Sequence, residues 1–246
     1  MKKVVLNYLV IAVLAILAAF TSCGGGSGGG KGKGNIVMKA ETDKMSFSMA
    51  GSDEVTIDWG DGTRETHEIG NDSRFSHEYL GTSVRTVTIN GKNITSLSCD
   101  RNDISSLDVS GCATLEYLVL NQVLITSLDL SKNTALTSLY CSYSYQLTSL
   151  DLSKNPALTF LDCSDNQLTS LDLSKNPALT AVYCYSCELT AAALNAFFGT
   201  LHSNTVPPAL SIGEETAKKL VIKGNPGAAD CDRSITEKKG WNIVDY

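Results

Sequence analysis

The sequence predicts a mostly β solenoid of right-handed parallel coils, with a small β cap before it and an α/β cap after it. Three observations lead to this fold. Leucines recur every 21 or 22 residues from residue 94 to residue 189, period-two alternation runs through residues 35–90, and a helical pattern begins at residue 190. A period of that length indicates stacked units, which bury their apolar side chains only against one another.

The first 22 residues have the features of an export signal. Two lysines precede an unbroken run of twelve apolar residues, 9–20, which is too short to span a bilayer as a helix. The Phe-Thr-Ser before Cys23 resembles a bacterial lipobox, and the resemblance implies cleavage before Cys23 and a diacylglycerol on its sulfur. The alternative is an ordinary secretory signal. We expect residues 1–22 to be a signal peptide and residues 23–34 to be a lipidated cysteine with a glycine-rich, flexible tether.

Residues 35–90 alternate between apolar and polar side chains, which predicts β-strands. The motif Asp-Trp-Gly-Asp-Gly-Thr, 58–63, contains the Asp-Gly signal of a tight turn. Together with His-Glu-Tyr at 77–79, it resembles the polycystic-kidney-disease-type (PKD-like) β-sandwich, which implies a short β-sandwich-like cap. Asp58 and Asp61 could be read as carboxylate ligands, but we favour side-chain bonds within their own turn.

Five repeats occupy residues 91–189. The stretch 158–168, Leu-Thr-Phe-Leu-Asp-Cys-Ser-Asp-Asn-Gln-Leu, fits the leucine-rich repeat pattern L-x-x-L-x-L-x-x-N/C-x-L. The repeats begin at Ile94, Leu115, Leu136, Leu158 and Leu179. One extra residue lies near Tyr145. The spacing predicts an α/β-type leucine-rich repeat solenoid whose strands stack about 4.8 Å apart as a parallel ladder with right-handed connections.

The repeat register also accounts for most of the eight cysteines. Those at an inward leucine position are Cys99, Cys141, Cys163 and Cys184. Cys112 and Cys187 fall at Asn/Cys turn positions, so the Cys-x-x-Cys that ends at Cys187 belongs to the repeat and is not a metal or redox site. Asn102 and Asn166 occupy the turn position, where an amide side chain can bond backbone groups left by the bend. No metal site or cofactor is expected.

Residues 190–246 are expected to cap the open end of the stack. A helical pattern begins after Thr190, a candidate N-cap, and ends before two consecutive prolines. The segment Leu220–Asn225 then follows the repeat pattern once more as a strand. Solenoids need a terminal unit of this kind to cover the last apolar coil.

Three motifs in this order resemble those of leucine-rich repeat lipoproteins from gut Gram-negative anaerobes. They are Ile-Asp-Trp-Gly-Asp-Gly-Thr from residue 57, Leu-Thr-Ser-Leu-Asp-Leu-Ser-Lys-Asn in the repeats, and a Gly-Asn-Pro-Gly, Cys-Asp, Lys-Gly-Trp series from residue 224. The resemblance covers nearly all of residues 23–246. It implies a lipoprotein of the bacterial outer membrane, on the cell surface or the periplasmic face, and it supplies no catalytic residues.

The two halves of each repeat differ in how much their outward side chains vary. In the Leu-Thr-Ser-Leu-Asp-Leu half, one outward column is always aspartate (Asp108, Asp129, Asp151, Asp172). The strand half varies and is rich in aromatic residues, which are rigid anchors of recognition surfaces. We predict a ligand-binding face there, made of Tyr117, Tyr140, Tyr143, Phe160, Asp162, Tyr183 and Tyr185. The alternatives are that tyrosines merely suit exposed strands, and that the aspartate column binds cations.

Composition narrows the function further. Acidic residues number 26 against 20 basic ones, and loss of Lys2 and Lys3 with the signal moves the net charge from −6 to −8, which argues against nucleic acid as a partner. Three histidines, and no nucleophile–base arrangement, argue against a hydrolase. We expect a non-enzymatic, monomeric, lipid-anchored protein that binds a protein or peptide with its concave face. Glycan capture and a structural spacer without a ligand are the alternatives.

Overall fold

A computed structural model describes residues 34–205 and 218–244. These residues contain twelve strands, joined in one sheet, and two helices. The predicted signal peptide, Cys23 and the tether up to residue 33 lie outside the described residues. Neither helix of the described part has the length and apolar character that crossing a membrane requires.

Four antiparallel strands form the amino-terminal cap. They are β1 (Gly34–Gly51), β2 (Glu54–Asp58), β3 (Arg64–Glu68) and β4 (Ser73–Gly91). β1 and β4 pair along most of their length, with a bulge between Thr42 and Lys44 that shifts which residues of β1 face the core. Buried residues alternate at Ile36, Met38, Ala40 and Thr42 before the bulge and at Met45, Phe47 and Met49 after it. The pair bends at the bulge, and its halves share a core in which the Phe47 and Trp59 rings lie 5.4 Å apart. The alternation in residues 35–90 predicted strands here, and they belong to the same sheet as the repeats.

The first coil is covered by β1 on both of its walls. The second half of β1 pairs with β5 (Ile94–Ser98), and its first half pairs with β6 (Ile104–Asp108), both antiparallel. One strand therefore satisfies the backbone groups that the first coil of a solenoid would otherwise leave without partners.

The repeats form a parallel ladder that continues into the C-terminal segment. Its strands are β7 (Tyr117–Val119), β8 (Ser138–Tyr140), β9 (Phe160–Asp162), β10 (Ala181–Tyr183), β11 (Lys218–Val221) and β12 (Trp241–Ile243). β11 pairs with β10 in register, which confirms the additional strand predicted near Leu220. The extra residue of the third repeat lies between the buried residues Ser144 and Leu147. There Tyr145 turns outward with a φ of 53°.

Apolar side chains from all coils make one continuous core. In the fourth coil the inward side chains are 5% exposed or less, namely Leu158, Leu161, Cys163, Leu168, Leu171 and Leu173. Asn102 and Asn166 donate Nδ2 to backbone oxygens at the predicted turns. Asn166, for example, bonds the carbonyls of Cys141 and Cys163 at 2.8 and 2.9 Å. These bonds confirm the role predicted for the turn asparagines.

A second asparagine column, not predicted from the sequence, crosses the opposite wall. Asn133, Asn155 and Asn176 are each fully buried, and each donates Nδ2 to two carbonyl oxygens of the preceding coil at 2.8–3.1 Å. Because that wall lacks a continuous strand ladder, these side chains supply part of the bonding between its coils. The constant asparagine in Leu-Ser-Lys-Asn was the available signal.

The carboxyl-terminal cap consists of α1 (Ala191–Thr200), the last two strands and the short α2 (Ser234–Glu237). Thr190 accepts a hydrogen bond from the Ala193 amide at 3.3 Å, as predicted for an N-cap. Lys218 is 3% exposed, and its Nζ donates to the carbonyl oxygens of His202, Asn204 and Lys239. The buried ammonium group is therefore matched by three acceptors.

Candidate ligand-binding face

The residues of the predicted face lie on the side of the parallel ladder that points away from the leucine core. We call this side the strand face: the outward side chains of β5 and β7–β10, with the turns that follow them. The pairing register places Tyr117, Ser138, Phe160 and Ala181 in one column. The next column contains Val119, Tyr140, Asp162 and Tyr183.

Three aromatic side chains from neighbouring coils form a continuous stack, which we call the aromatic row: Tyr140, Phe160 and Tyr183. The Tyr140 and Phe160 ring centroids lie 4.6 Å apart with 26° between the planes, and the Phe160 and Tyr183 centroids lie 5.4 Å apart with 32°. Lys219 Nζ lies 5.9 Å from the centroid of the Tyr183 ring. Phe160 therefore has a ring on either side of it, which leaves little of either of its faces open.

The aromatic row covers the smaller side chains next to it. Tyr140 is only 9% exposed, and Asp162, which lies between Tyr140 and Tyr183 in the register, is 4% exposed. Side chains on the same face of a sheet stand one strand spacing apart, so large rings close over small neighbours. Periodicity in the sequence predicted the direction of these side chains but not their exposure. An alanine at Tyr140 would therefore disturb folding as well as the surface.

Asp162 carries a carboxylate into this covered region. Its Oδ1 accepts a hydrogen bond from the Ser164 amide at 3.1 Å. Burial nevertheless raises the pKa of Asp162 to about 6, and the nearby Asp165 raises it further, while the bonds to Ser164 oppose the shift. The charge state of the strand face therefore changes close to neutral pH.

Tyr117 stands apart from the aromatic row, near the amino-terminal end of the face. Ser138 separates it from Phe160 within their shared column. Burial raises the pKa of the Tyr117 hydroxyl, and a hydrogen bond with Thr137 opposes that shift. Tyr117 thus extends the face by one coil without joining the stack.

A second group lies on the turns after the strands, and we call it the rim cluster: Tyr143, Tyr145, Asp165 and Tyr185. The Tyr143 and Tyr145 rings meet edge to face at 6.1 Å and 69°, and the hydroxyl oxygens of Tyr143 and Tyr185 lie 3.0 Å apart. The backbone of Asp165 bonds both neighbouring coils, because its amide donates to the Tyr185 carbonyl at 3.0 Å and its carbonyl accepts from the Tyr145 amide at 3.2 Å. Tyr145, 60% exposed, and Asp165 were absent from the predicted site. The extra residue in the third repeat was the signal for Tyr145.

The aspartate column of the opposite wall has a structural explanation. In each of the four coils that contain it, the aspartate Oδ1 accepts a hydrogen bond from the amide of the serine two residues later, at 2.8–2.9 Å. Hydrogen bonds from the side chain and the amide of that serine lower the pKa of Asp108, Asp129, Asp151 and Asp172. The constant Asp-x-Ser spacing therefore follows from turn geometry.

The other candidate ligand groups are also engaged in the fold. Asp58 accepts from the Gly60 amide at 3.1 Å and Asp61 from the Thr63 amide at 2.9 Å, which confirms the turn interpretation. The His77 ring lies 2.7 Å from the second oxygen of Asp61 and helps to lower the pKa of that carboxyl to about 2. The four inward cysteines are fully buried, and burial raises the pKa of each thiol. Within the described ranges, no group of three or more His, Cys, Asp or Glu residues is arranged to hold a metal ion.

Comparison with known proteins gives similarity to solved structures only. No protein-family model matches the chain, and no curated protein matches it. The functional domain of InlJ from Listeria monocytogenes, whose structure includes a cysteine ladder, is 32% identical, with 57% of this chain and 32% of that chain covered and a TM-score of 0.43. A leucine-rich repeat protein of Leptospira interrogans is 20% identical, with 56% and 33% covered and a TM-score of 0.43. This chain therefore covers about a third of the length of either protein.

Proposed function

We propose that this protein is a non-enzymatic, lipid-anchored protein of the bacterial outer membrane that recognises a protein or peptide with its strand face. The observation that carries the proposal is the difference between the two walls. The strand face bears the aromatic row and the rim cluster, whereas the opposite wall repeats one aspartate–serine arrangement in four coils. A wall that serves only the fold can be uniform, but specific recognition needs side chains that differ from coil to coil. Tyrosines are common energetic centres of such surfaces.

The packing of the aromatic row favours a polypeptide ligand over a glycan. A sugar ring binds an aromatic residue by laying its C–H groups on the open face of the ring. Here Phe160 lies between two other rings, and the Tyr183 ring has Phe160 and the Lys219 ammonium group close to it. An aromatic row whose ring faces are covered suits the backbone and side chains of an extended peptide better.

Binding of the purified protein to an array that carries both peptides and glycans tests this function. We expect peptide ligands, and we expect Tyr183→Ala to weaken their binding by about 2 kcal/mol. The matched control is Ser149→Ala with Ser170→Ala on the opposite wall, because both serines are exposed and neither holds a turn in the way the neighbouring aspartates do. Binding confined to glycans, or lost only in the serine variant, would show that we have assigned the wrong ligand or the wrong wall.

Anchoring through Cys23 is tested separately by replacing that cysteine with serine. A lipid on its sulfur would hold the protein in the membrane fraction, since several acyl chains anchor stably where one is marginal. We expect Cys23→Ser to move the protein to the soluble fraction. Retention of the variant in the membrane would contradict lipidation. Protease treatment of intact cells distinguishes a cell-surface orientation, in which the protein is cleaved, from a periplasmic one.

A further inference from the structure

The rim cluster contains a carboxylate oxygen that the fold leaves without a partner. Asp165 Oδ2 is buried and has no hydrogen-bond partner among the described residues. Burial is the main influence on this carboxyl group and raises its pKa, while hydrogen bonds from the hydroxyl groups of Tyr185 and Tyr143 to the carboxyl group lower it. The two tyrosines therefore serve this carboxylate incompletely, and its Oδ2 remains an acceptor for a further donor.

The surroundings of this oxygen are aromatic. Tyr143 and Tyr145, from the preceding coil, meet at nearly a right angle, and the Tyr143 hydroxyl contacts that of Tyr185 from the following coil. Aromatic rings attract cations through their negative faces, and a carboxylate among them supplies the compensating charge. Tyr145 lies at the point where the third coil is one residue longer than its neighbours, and among the described coils this cluster has no equivalent.

We infer that the rim cluster is a cation-binding site for a lysine or arginine side chain of an extended polypeptide ligand, with Asp165 as the counter-ion and Tyr143 and Tyr145 as aromatic walls. The inference rests on the proposed function, because it names the chemistry of the ligand that the strand face would take. Charge complementarity selects the occupant: the site offers a carboxylate and ring faces, and the whole chain carries a net charge of −6.

Two substitutions remove the site while preserving the fold. Asp165 has a φ of 53°, and asparagine adopts this left-handed conformation readily, so Asp165→Asn removes the charge without backbone strain. Tyr145 is 60% exposed, so Tyr145→Ala removes one wall without opening the core, and Tyr145→Phe retains the ring. The control for charge is Asp172→Asn on the opposite wall, which alters the net charge of the protein equally and keeps the side-chain acceptor that binds the Ser174 amide.

Calorimetric titration of the full chain with hexalysine, and with hexaglutamine for comparison, tests the site directly. We expect hexalysine to bind and hexaglutamine not to bind. The Kd for hexalysine should rise at least fivefold in Asp165→Asn and in Tyr145→Ala, and should change less than twofold in Tyr145→Phe and Asp172→Asn.

Three results would overturn the inference. They are equal weakening in Asp165→Asn and Asp172→Asn, which means diffuse attraction to an acidic protein, no effect of Asp165→Asn, and absence of hexalysine binding. None of these results contradicts the proposed function, which is tested by the peptide array and by Tyr183→Ala. Conversely, if no peptide on the array bound, the proposed function would be wrong even if hexalysine bound.

Discussion

At the scale of single residues, Asp162 couples the strand face to pH. Its pKa is raised from 3.8 to about 6 because the folded protein buries the carboxyl group. Between these two values the folded protein retains a proton that the unfolded chain has released. The free energy of unfolding therefore falls as pH rises from about 4 to 6, and this stability is present in full only at the acidic end.

Asp162→Asn should remove that dependence. The amide keeps an oxygen for the Ser164 N–H group and carries no charge, so we expect the free energy of unfolding at pH 7.5 to increase by about 2 kcal/mol over the unsubstituted protein. The difference should shrink towards pH 4, and urea unfolding at both pH values measures it. Asp172→Asn, at an exposed site whose pKa is lowered, is the comparison. A gain at pH 7.5 in Asp172→Asn but not in Asp162→Asn would be inconsistent with a buried charge at Asp162.

At the scale of elements, different hydrogen bonds join the coils in the two walls of the stack. Backbone pairing joins the strand face, whereas buried asparagines contribute to the opposite wall. Asn155→Ala should lower the free energy of unfolding by about 2–4 kcal/mol, because it leaves the carbonyl oxygens of Leu130 and Asn133 without this donor in a buried region. Lys154→Ala, at the exposed neighbouring position, should change it by less than about 0.5 kcal/mol. Thermal or urea unfolding of the two variants compares these values, and equal effects would show that the asparagine column is dispensable.

The strands also show which parts of the fold can be predicted from the sequence alone. The 21-residue period predicted the parallel ladder, the buried leucines and cysteines, and the turn asparagines, because a period is a direct consequence of stacking. The length of β1 was not predictable, since the bulge after Thr42 reverses the alternation and divides one strand into two apparent ones. The bounds of β3 were not predictable, because it is largely exposed and so carries no apolar periodicity of its own. The aromatic row depends on side chains about 22 residues apart leaning towards each other, which no local pattern records.

At the scale of the whole molecule, the caps determine whether the stack is soluble. Leu194, Phe197 and Phe198 of α1 are at most 1% exposed, and β11 pairs with the last repeat strand. A chain that ends at Leu189 loses both and exposes the last coil, so we expect aggregation in size-exclusion chromatography. A chain that begins at Gly34 keeps both caps and should elute as a monomer. A soluble 34–189 fragment that unfolds cooperatively would contradict the capping role of the C-terminal segment.

The dual pairing of β1 also has a mechanical consequence. If the chain is tethered upstream of Gly34 and its partner is held on the strand face, any tension between cell and partner enters the fold at the start of β1. Hydrogen bonds between antiparallel strands run across the strand direction, so a pull along β1 loads its bonds to β4 and β6 in shear and shares the force among them. If β1 were pulled at right angles to its length, the same hydrogen bonds would open one after another. The cap that closes the first coil is thus also placed to carry load, and the direction of pull sets how much it withstands.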